Sequence, residues 1–164
     1  MSYTAEDVKR LREATAAGML DCKKALDEAG GDFDKAVEII RVKGLKGVTK
    51  REGRTTTNGL IVARVNGGTG YLIELACETD FVAKADKFVK LADSIADAIV
   101  AAGAKDLDAA LAANLGDKSV ADAINDEAAI MGEKVELRRL AVVEGEKVDA
   151  YLHRTSKDLP PQVG

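Results

Sequence analysis

In the first fifty residues, apolar side chains recur at the three- and four-residue steps that a helix gathers onto one face. Three such runs follow one another: Val8, Leu11 and Thr15; Cys22, Ala25, Leu26 and Ala29; and Phe33, Ala36, Val37 and Ile40. The punctuation between them agrees. Thr4 stands where it can cap the first run, Gly18 interrupts the chain, and Gly30-Gly31-Asp32 ends the second run and caps the third. Gly44 is expected to close the third helix. The pattern predicts a three-helix bundle of about fifty residues, near the lower size limit for independent stability.

After the polar run Thr55-Thr56-Thr57-Asn58-Gly59 the period changes from 3.6 to 2. Leu60–Val65 and Tyr71–Cys77 alternate as strands, and the spacer Asn66-Gly67-Gly68-Thr69-Gly70 predicts a hairpin with a loop of about five residues. Tyr71, Ile73, Leu75 and Cys77 share one face of the second strand, so the sheet has a buried side. Phe81, Ala85, Phe88, Ala92, Ile95 and Ile99 then return to helical spacing. They predict one long amphipathic helix, packed on that sheet and ended by Gly103, with Thr79 as its cap. A further helix is expected over roughly Ser119 to Met131, followed through Gly132 by strands near Val135–Val143 and Val148–His153. The expected class is α+β: a helical bundle, then a mainly antiparallel sheet covered by helices.

Charge sharpens the division. The 164 residues carry 24 Lys+Arg against 28 Asp+Glu, a formal charge of −4. Residues 1–54 hold 12 basic and 10 acidic side chains, whereas residues 55–164 hold 12 and 18. The expected domains are therefore 1–54, a helical module ending in a basic, partly helical linker, and 55–164, an α+β core. Arg41, Lys43, Lys46, Lys50, Arg51 and Arg54 face only Glu52 within that linker. With 46% hydrophobic residues the chain can bury a core,. No apolar run nears the roughly 20 residues of a spanning helix, and Met1-Ser2-Tyr3-Thr4-Ala5-Glu6-Asp7 is no secretory signal, so a cytoplasmic location and no membrane contact are expected. Cys22 and Cys77 lie too far apart for a chelating pair, and no metal or cofactor is expected.

The inventory for covalent catalysis is poor: one His, no Trp, and no motif pairing a nucleophile with a base,. Gly67-Gly68-Thr69-Gly70 does not run into Gly-Lys-Ser/Thr and a helix, so a turn accounts for it better than a phosphate cradle. The basic linker could neutralise phosphates, but it holds no aromatic residue to stack on bases, which argues against direct nucleic-acid binding. What survives is an interaction role without an active site.

Two peptides carry a resemblance. Thr15-Ala16-Ala17-Gly18-Met19-Leu20-Asp21-Cys22-Lys23-Lys24-Ala25-Leu26 resembles the amino-terminal signature of the bacterial translation elongation factor Ts family. Glu74-Leu75-Ala76-Cys77-Glu78-Thr79-Asp80-Phe81-Val82-Ala83-Lys84 resembles its second signature. Gly132-Glu133-Lys134, Leu137-Arg138-Arg139 and Tyr151-Leu152-His153 match further along, in the same order. The resemblance implies a guanine nucleotide exchange factor that binds elongation factor Tu, both GDP-bound and nucleotide-free, and speeds GDP release with no covalent chemistry of its own. It implies a ubiquitin-associated-like fold for the helical module, docked on the partner through Arg12, Met19, Leu20 and Lys23. It places the principal wedge at Thr79, Asp80, Phe81 and Val82, with Phe81 inserted near the partner's magnesium site, and further contacts at Met131 and His153.

Other readings of the same residues stay open. Thr79 caps a helix, Asp80 suits the first-turn dipole and Phe81 is in phase with the apolar stripe. Met19 is in phase with Cys22 and Leu26, as a core residue would be, and Lys23 has the spacing of a solvated one. A binding-only module is the second functional reading. An RNA-contacting accessory, dependent on Lys46, Lys50, Arg51 and Arg54, is the third. Family members usually continue beyond the position of Gly164, so the core is expected to be truncated at its carboxy-terminal side. Its uncovered sheet edge could then pair with a second copy as a homodimer.

Overall fold

The first helix opens on a reciprocal cap: the Asp7 amide donates to Thr4 Oγ1 at 3.2 Å, and the Thr4 amide donates back to Asp7 Oδ2 at 2.8 Å,. The computed structural model describes residues 3–15 and 17–164, with the side chains of 45–49 outside that description. Ala16 of the first signature and the Lys46 side chain therefore lie outside the described residues. Helices α1 (Ala5–Thr15), α2 (Met19–Glu28) and α3 (Phe33–Arg51) form the helical module. They bury Val8, Leu11, Cys22, Ala25, Leu26 and Ala36, with Phe33, Val37 and Ile40 packed around them. Asp32 caps α3 through the Lys35 amide at 3.0 Å, as the pattern predicted.

Gly44 does not end α3, which continues to Arg51, so most of the expected linker is helix. The glycine answers a packing need instead. A Cβ built on Gly44 would lie 2.7 Å from Cβ of Ala129, closer than two carbon atoms can approach,.

The second unit is built on a three-stranded antiparallel sheet, ordered β1-β2-β5: β1 (Asn58–Asn66), β2 (Thr69–Cys77) and β5 (Val135–Glu144). The β1–β2 ladder runs from Asn58↔Cys77 to Asn66↔Thr69. The hairpin turn is thus two residues, Gly67-Gly68, rather than five, because such a turn matches the strand twist and lets Asn66, Thr69 and Gly70 join the ladder. The β2–β5 register shifts between Glu74 and Leu75.

Two further expectations are corrected. The long helix is broken: α4 (Asp80–Ala83) stops, and α5 (Asp86–Ala102) restarts after Ala85 in extended backbone at φ −68°, ψ 136°. The break lets α5 lay Phe88, Leu91, Ala92, Ile95 and Ile99 into the core with Leu60, Val62, Tyr71, Ile73 and Leu75. A large side chain buried there stabilises by roughly 1.5–3 kcal/mol. Phe81 is released from that stripe. The expected strand over 148–153 also does not form; His153 and Val163 make an isolated bridge. An antiparallel ladder continued from it would meet Pro161, which has no N–H to give.

Helix α6 (Leu107–Ala112) and the small hairpin of β3 (Asn114–Leu115) and β4 (Lys118–Ser119) were not anticipated, being too short for a period to show. Helix α7 (Val120–Met131) matches expectation, with Ser119 Oγ accepting the Asp122 amide at 3.1 Å. The chain separates into two compact units, residues up to Glu52 with Asp126–Gly132, and Gly53–Asn125 with Glu133–Gly164.

Candidate functional site

The peptide between β2 and α5 is fixed by its own backbone chemistry. Thr79, in extended backbone at φ −119°, ψ 156°, caps α4 by accepting the Val82 amide on Oγ1 at 3.4 Å. One turn of helix follows and closes with the Lys84 amide on Asp80 O at 3.1 Å. Within that turn Ala83 points into the core and Phe81 points out, with 73% of its surface exposed. Lys84 Nζ lies 4.9 Å from the centre of the Phe81 ring and 3.7 Å from Asp80 Oδ2. One cation therefore bridges ring and carboxylate, a pairing worth about 0.5–1 kcal/mol on an exposed ring. Val82 is half-buried beside them. The apolar-stripe reading of Phe81 is overturned: the break at Lys84–Ala85 turns the ring into solvent.

Beneath the turn lie groups that sequence reasoning gave no role. Glu133 Oε2 accepts the amides of both Glu78 and Thr79 at 3.1 Å, and its Oε1 accepts the Thr79 hydroxyl at 2.5 Å. Glu78 answers by accepting the Lys134 amide at 2.7 Å, and Arg54 reaches the Glu78 carboxylate at 3.4 Å. Asn58 Nδ2 donates to the Glu78 carbonyl at 2.9 Å. The signal was present, since Gly132-Glu133-Lys134 is one of the matching peptides, but no residue pattern says that it returns to Glu78.

Cys77 is fully buried at the end of β2 and donates to Thr79 O at 3.3 Å. Burial first, and the negative Glu133 next, push its thiol up to about 12, so it is a packing residue rather than a nucleophile.

In the helical module, Cys22, Ala25 and Leu26 take the inward face of α2. Met19 is 51% exposed, Leu20 is 63% exposed, and Lys23 also faces solvent. Met19 is thus not a core residue, despite its phase. Arg12 is exposed on α1. Met131 is the half-buried last residue of α7. His153 is exposed, with its amide on Val163 O at 2.8 Å and its Nδ1 3.1 Å from the Tyr151 hydroxyl. The structure gathers Thr79, Asp80, Phe81 and Val82 into one braced turn, and Met19, Leu20 and Lys23 onto the outer face of one helix.

Among the described residues, no three His, Cys, Asp or Glu side chains gather as a metal site. No helix among them is long and apolar enough to cross a membrane.

Comparison with known proteins places these features. The family model described as Elongation factor TS matches residues 78–159, which begin at the braced turn and run through β5 to the His153 bridge. Over 163 residues the chain is 61% identical to Elongation factor Ts of Paenarthrobacter aurescens and 62% identical to that of Micrococcus luteus, covering 99% of this chain and 59% of each relative. Elongation factor Ts of Leifsonia xyli is 62% identical over 159 residues, 96% of this chain. The chain spans about three fifths of the length of these curated relatives. A family match over the turn, helices α4 to α7 and β5, half of the chain, joined to identities of about 60% over almost all of it, leads to one conclusion: the chain belongs to the elongation factor Ts family.

Proposed function

We propose that this chain binds elongation factor Tu and promotes the release of GDP from it, using Phe81 as the principal contact. The observation that carries the reading is an aromatic ring, 73% exposed, on a turn whose backbone is fixed by Glu133 and Asn58. A large apolar side chain held in solvent adds little to folding, yet it offers contact area at low rotamer cost to a partner. Membership in the elongation factor Ts family supports elongation factor Tu as that partner.

The mechanism is a coupling free energy. A factor that binds the nucleotide-free partner more tightly than the GDP-bound form weakens GDP by the same ratio, typically about 5–150-fold. No nucleophile or general base is needed. Phe81, pressed beside the partner's magnesium site, would favour a conformation in which the elements holding Mg²⁺ and the phosphates are displaced. Asp80 and Lys84 shape the rim of that contact. The exposed face of Met19, Leu20 and Lys23, with Arg12, supplies a second docking surface that holds the factor while nucleotide leaves. Met131 and His153 are assigned as lesser contacts.

The test is release of a fluorescent GDP analogue from purified elongation factor Tu, with this chain, its Phe81→Ala variant and a salt-matched blank. Acceleration by the parent chain and its loss in the variant is the expected result. Binding without acceleration would make the chain a binding-only module.

A further inference from the structure

We propose that Glu133 is a positioning residue for exchange, holding the Phe81 turn in its binding-competent shape before any partner arrives. The proposal rests on the reading of Phe81 given above. Its basis is the hydrogen-bond accounting of the two residues that precede the turn. The β2–β5 ladder ends at Cys77↔Val135, so the amides of Glu78 and Thr79 fall beyond its last pair. Both donate to one carboxylate oxygen, Glu133 Oε2, at 3.1 Å. The two carbonyls are also occupied: Asn58 Nδ2 donates to Glu78 O at 2.9 Å, and the Ala83 amide donates to Thr79 O at 3.2 Å. All four main-chain polar groups of the peptide thus have partners, which leaves it little freedom.

Glu133 also acts through the cap. The Thr79 hydroxyl has one proton, and it is directed to Glu133 Oε1 at 2.5 Å. Its lone pairs are thereby turned toward the Val82 amide, which donates to it at 3.4 Å,. A four-residue helix has almost no stability of its own, so an oriented cap decides whether that turn stays wound. Because Phe81 is the second residue of α4 and is exposed, no core packing of its own ring holds it in place. Glu133 fixes the cap, the cap fixes the turn, and the turn aims the ring. The brace is mutual, since Glu78 Oε1 accepts the Lys134 amide at 2.7 Å and holds the 133–134 peptide against the same strand end.

The experiment has two arms, applied to the whole chain with Glu133→Ala and Glu133→Gln. In the first, amide hydrogen exchange is followed in the chain alone. The amides of Glu78, Thr79 and Val82 are expected to lose protection by about tenfold or more in Glu133→Ala, while those of Ile73 and Leu75 keep theirs. Unchanged protection at Glu78, Thr79 and Val82 would overturn the proposal. In the second, GDP release from elongation factor Tu is measured against chain concentration. The maximal rate is expected to fall by about tenfold, with half-saturation within about twofold, because a mobile ring still permits docking through the helical module but no longer favours the displaced state. A merely unfolding variant would do the reverse, lowering the active concentration while leaving the maximal rate intact, and that outcome would also overturn it. Thr79→Val provides a second route should Glu133→Ala not fold. It removes the linking hydroxyl and should match Glu133→Gln without adding to it in the double variant. If the parent chain itself gives no acceleration, the exchange reading fails, and the first arm still decides whether Glu133 holds the turn.

Discussion

Phe81 separates the two demands on a residue, folding and binding, because its ring contributes almost nothing to the core it stands beside. Phe81→Ala is expected to cost no more than about 1 kcal/mol of stability, the loss of the Lys84 cation over its ring, while costing about 2 kcal/mol or more in GDP release,. A urea midpoint measured beside the release assay checks both, and a large loss of stability would return the ring to a structural role. Cys77 makes the opposite case. Its thiol, raised to about 12 by burial and by Glu133, is held protonated at pH 8,. Folded protein should therefore react with a disulfide reagent at pH 8 many-fold more slowly than protein in urea. The sign for stability follows: below the ordinary thiol value near 9 the contribution is complete, and it is lost as pH rises through about 12,. Cys77→Ala should flatten that alkaline decline.

At the scale of elements, the junctions decide more than the helices and strands they join. Helix α3 passes through Gly44 because contact with Ala129 requires a side chain of no size there. Gly44→Ala improves helix propensity by about 1 kcal/mol, so any net destabilisation can come only from the forced separation of the two backbones. A loss of about 1–3 kcal/mol is expected, with partial recovery when Ala129→Gly is added. Stabilisation by Gly44→Ala would show that the contact does not matter. The break between α4 and α5 is the junction with functional weight. One residue in extended backbone, Ala85, detaches Phe81 from a stripe that its spacing says it should join. Periodicity reports which residues could share a face of an unbroken helix and is blind to where the helix is interrupted.

At the scale of the molecule, acid stability should follow a small set of carboxylates. The pKa of Asp7 is lowered chiefly by the Thr4 amide, and that of Glu38 chiefly by its hydrogen bond from Arg41. For Glu136 burial pushes upward, but the Thr56 hydroxyl and the cations of Lys134 and Arg138 together bring the carboxyl below its ordinary value. Each takes up its proton at lower pH in the folded chain than in the unfolded one, so its contribution is present above the ordinary carboxylate range and is lost as pH falls through the folded values. The urea midpoint is expected to be level between about pH 5.5 and 8 and to fall below about pH 4. A midpoint unchanged down to pH 3 would contradict this. The exposed pairs Arg41–Glu38, Lys43–Glu28 and Lys105–Glu144 should add little and weaken further with salt,.

The sequence by itself determined what local chemistry can determine. Helical spacing and the Thr4 and Asp32 caps located helices, alternation located the hairpin, and two peptides of unusual specificity carried the family. These signals are legible because the cause and the effect lie within a few residues of each other. Only the tertiary structure decided which faces are used. It showed that Met19 faces solvent, that Phe81 leaves the stripe, that Gly44 is a contact rather than a stop, and that 148–153 has no ladder to join. It alone brought Glu133 to Glu78 and Thr79, some fifty-five residues earlier in the chain. A carboxylate has no period and no preferred spacing to its hydrogen-bond donors, so its partner becomes visible only when the β2–β5 register sets the two strand ends side by side.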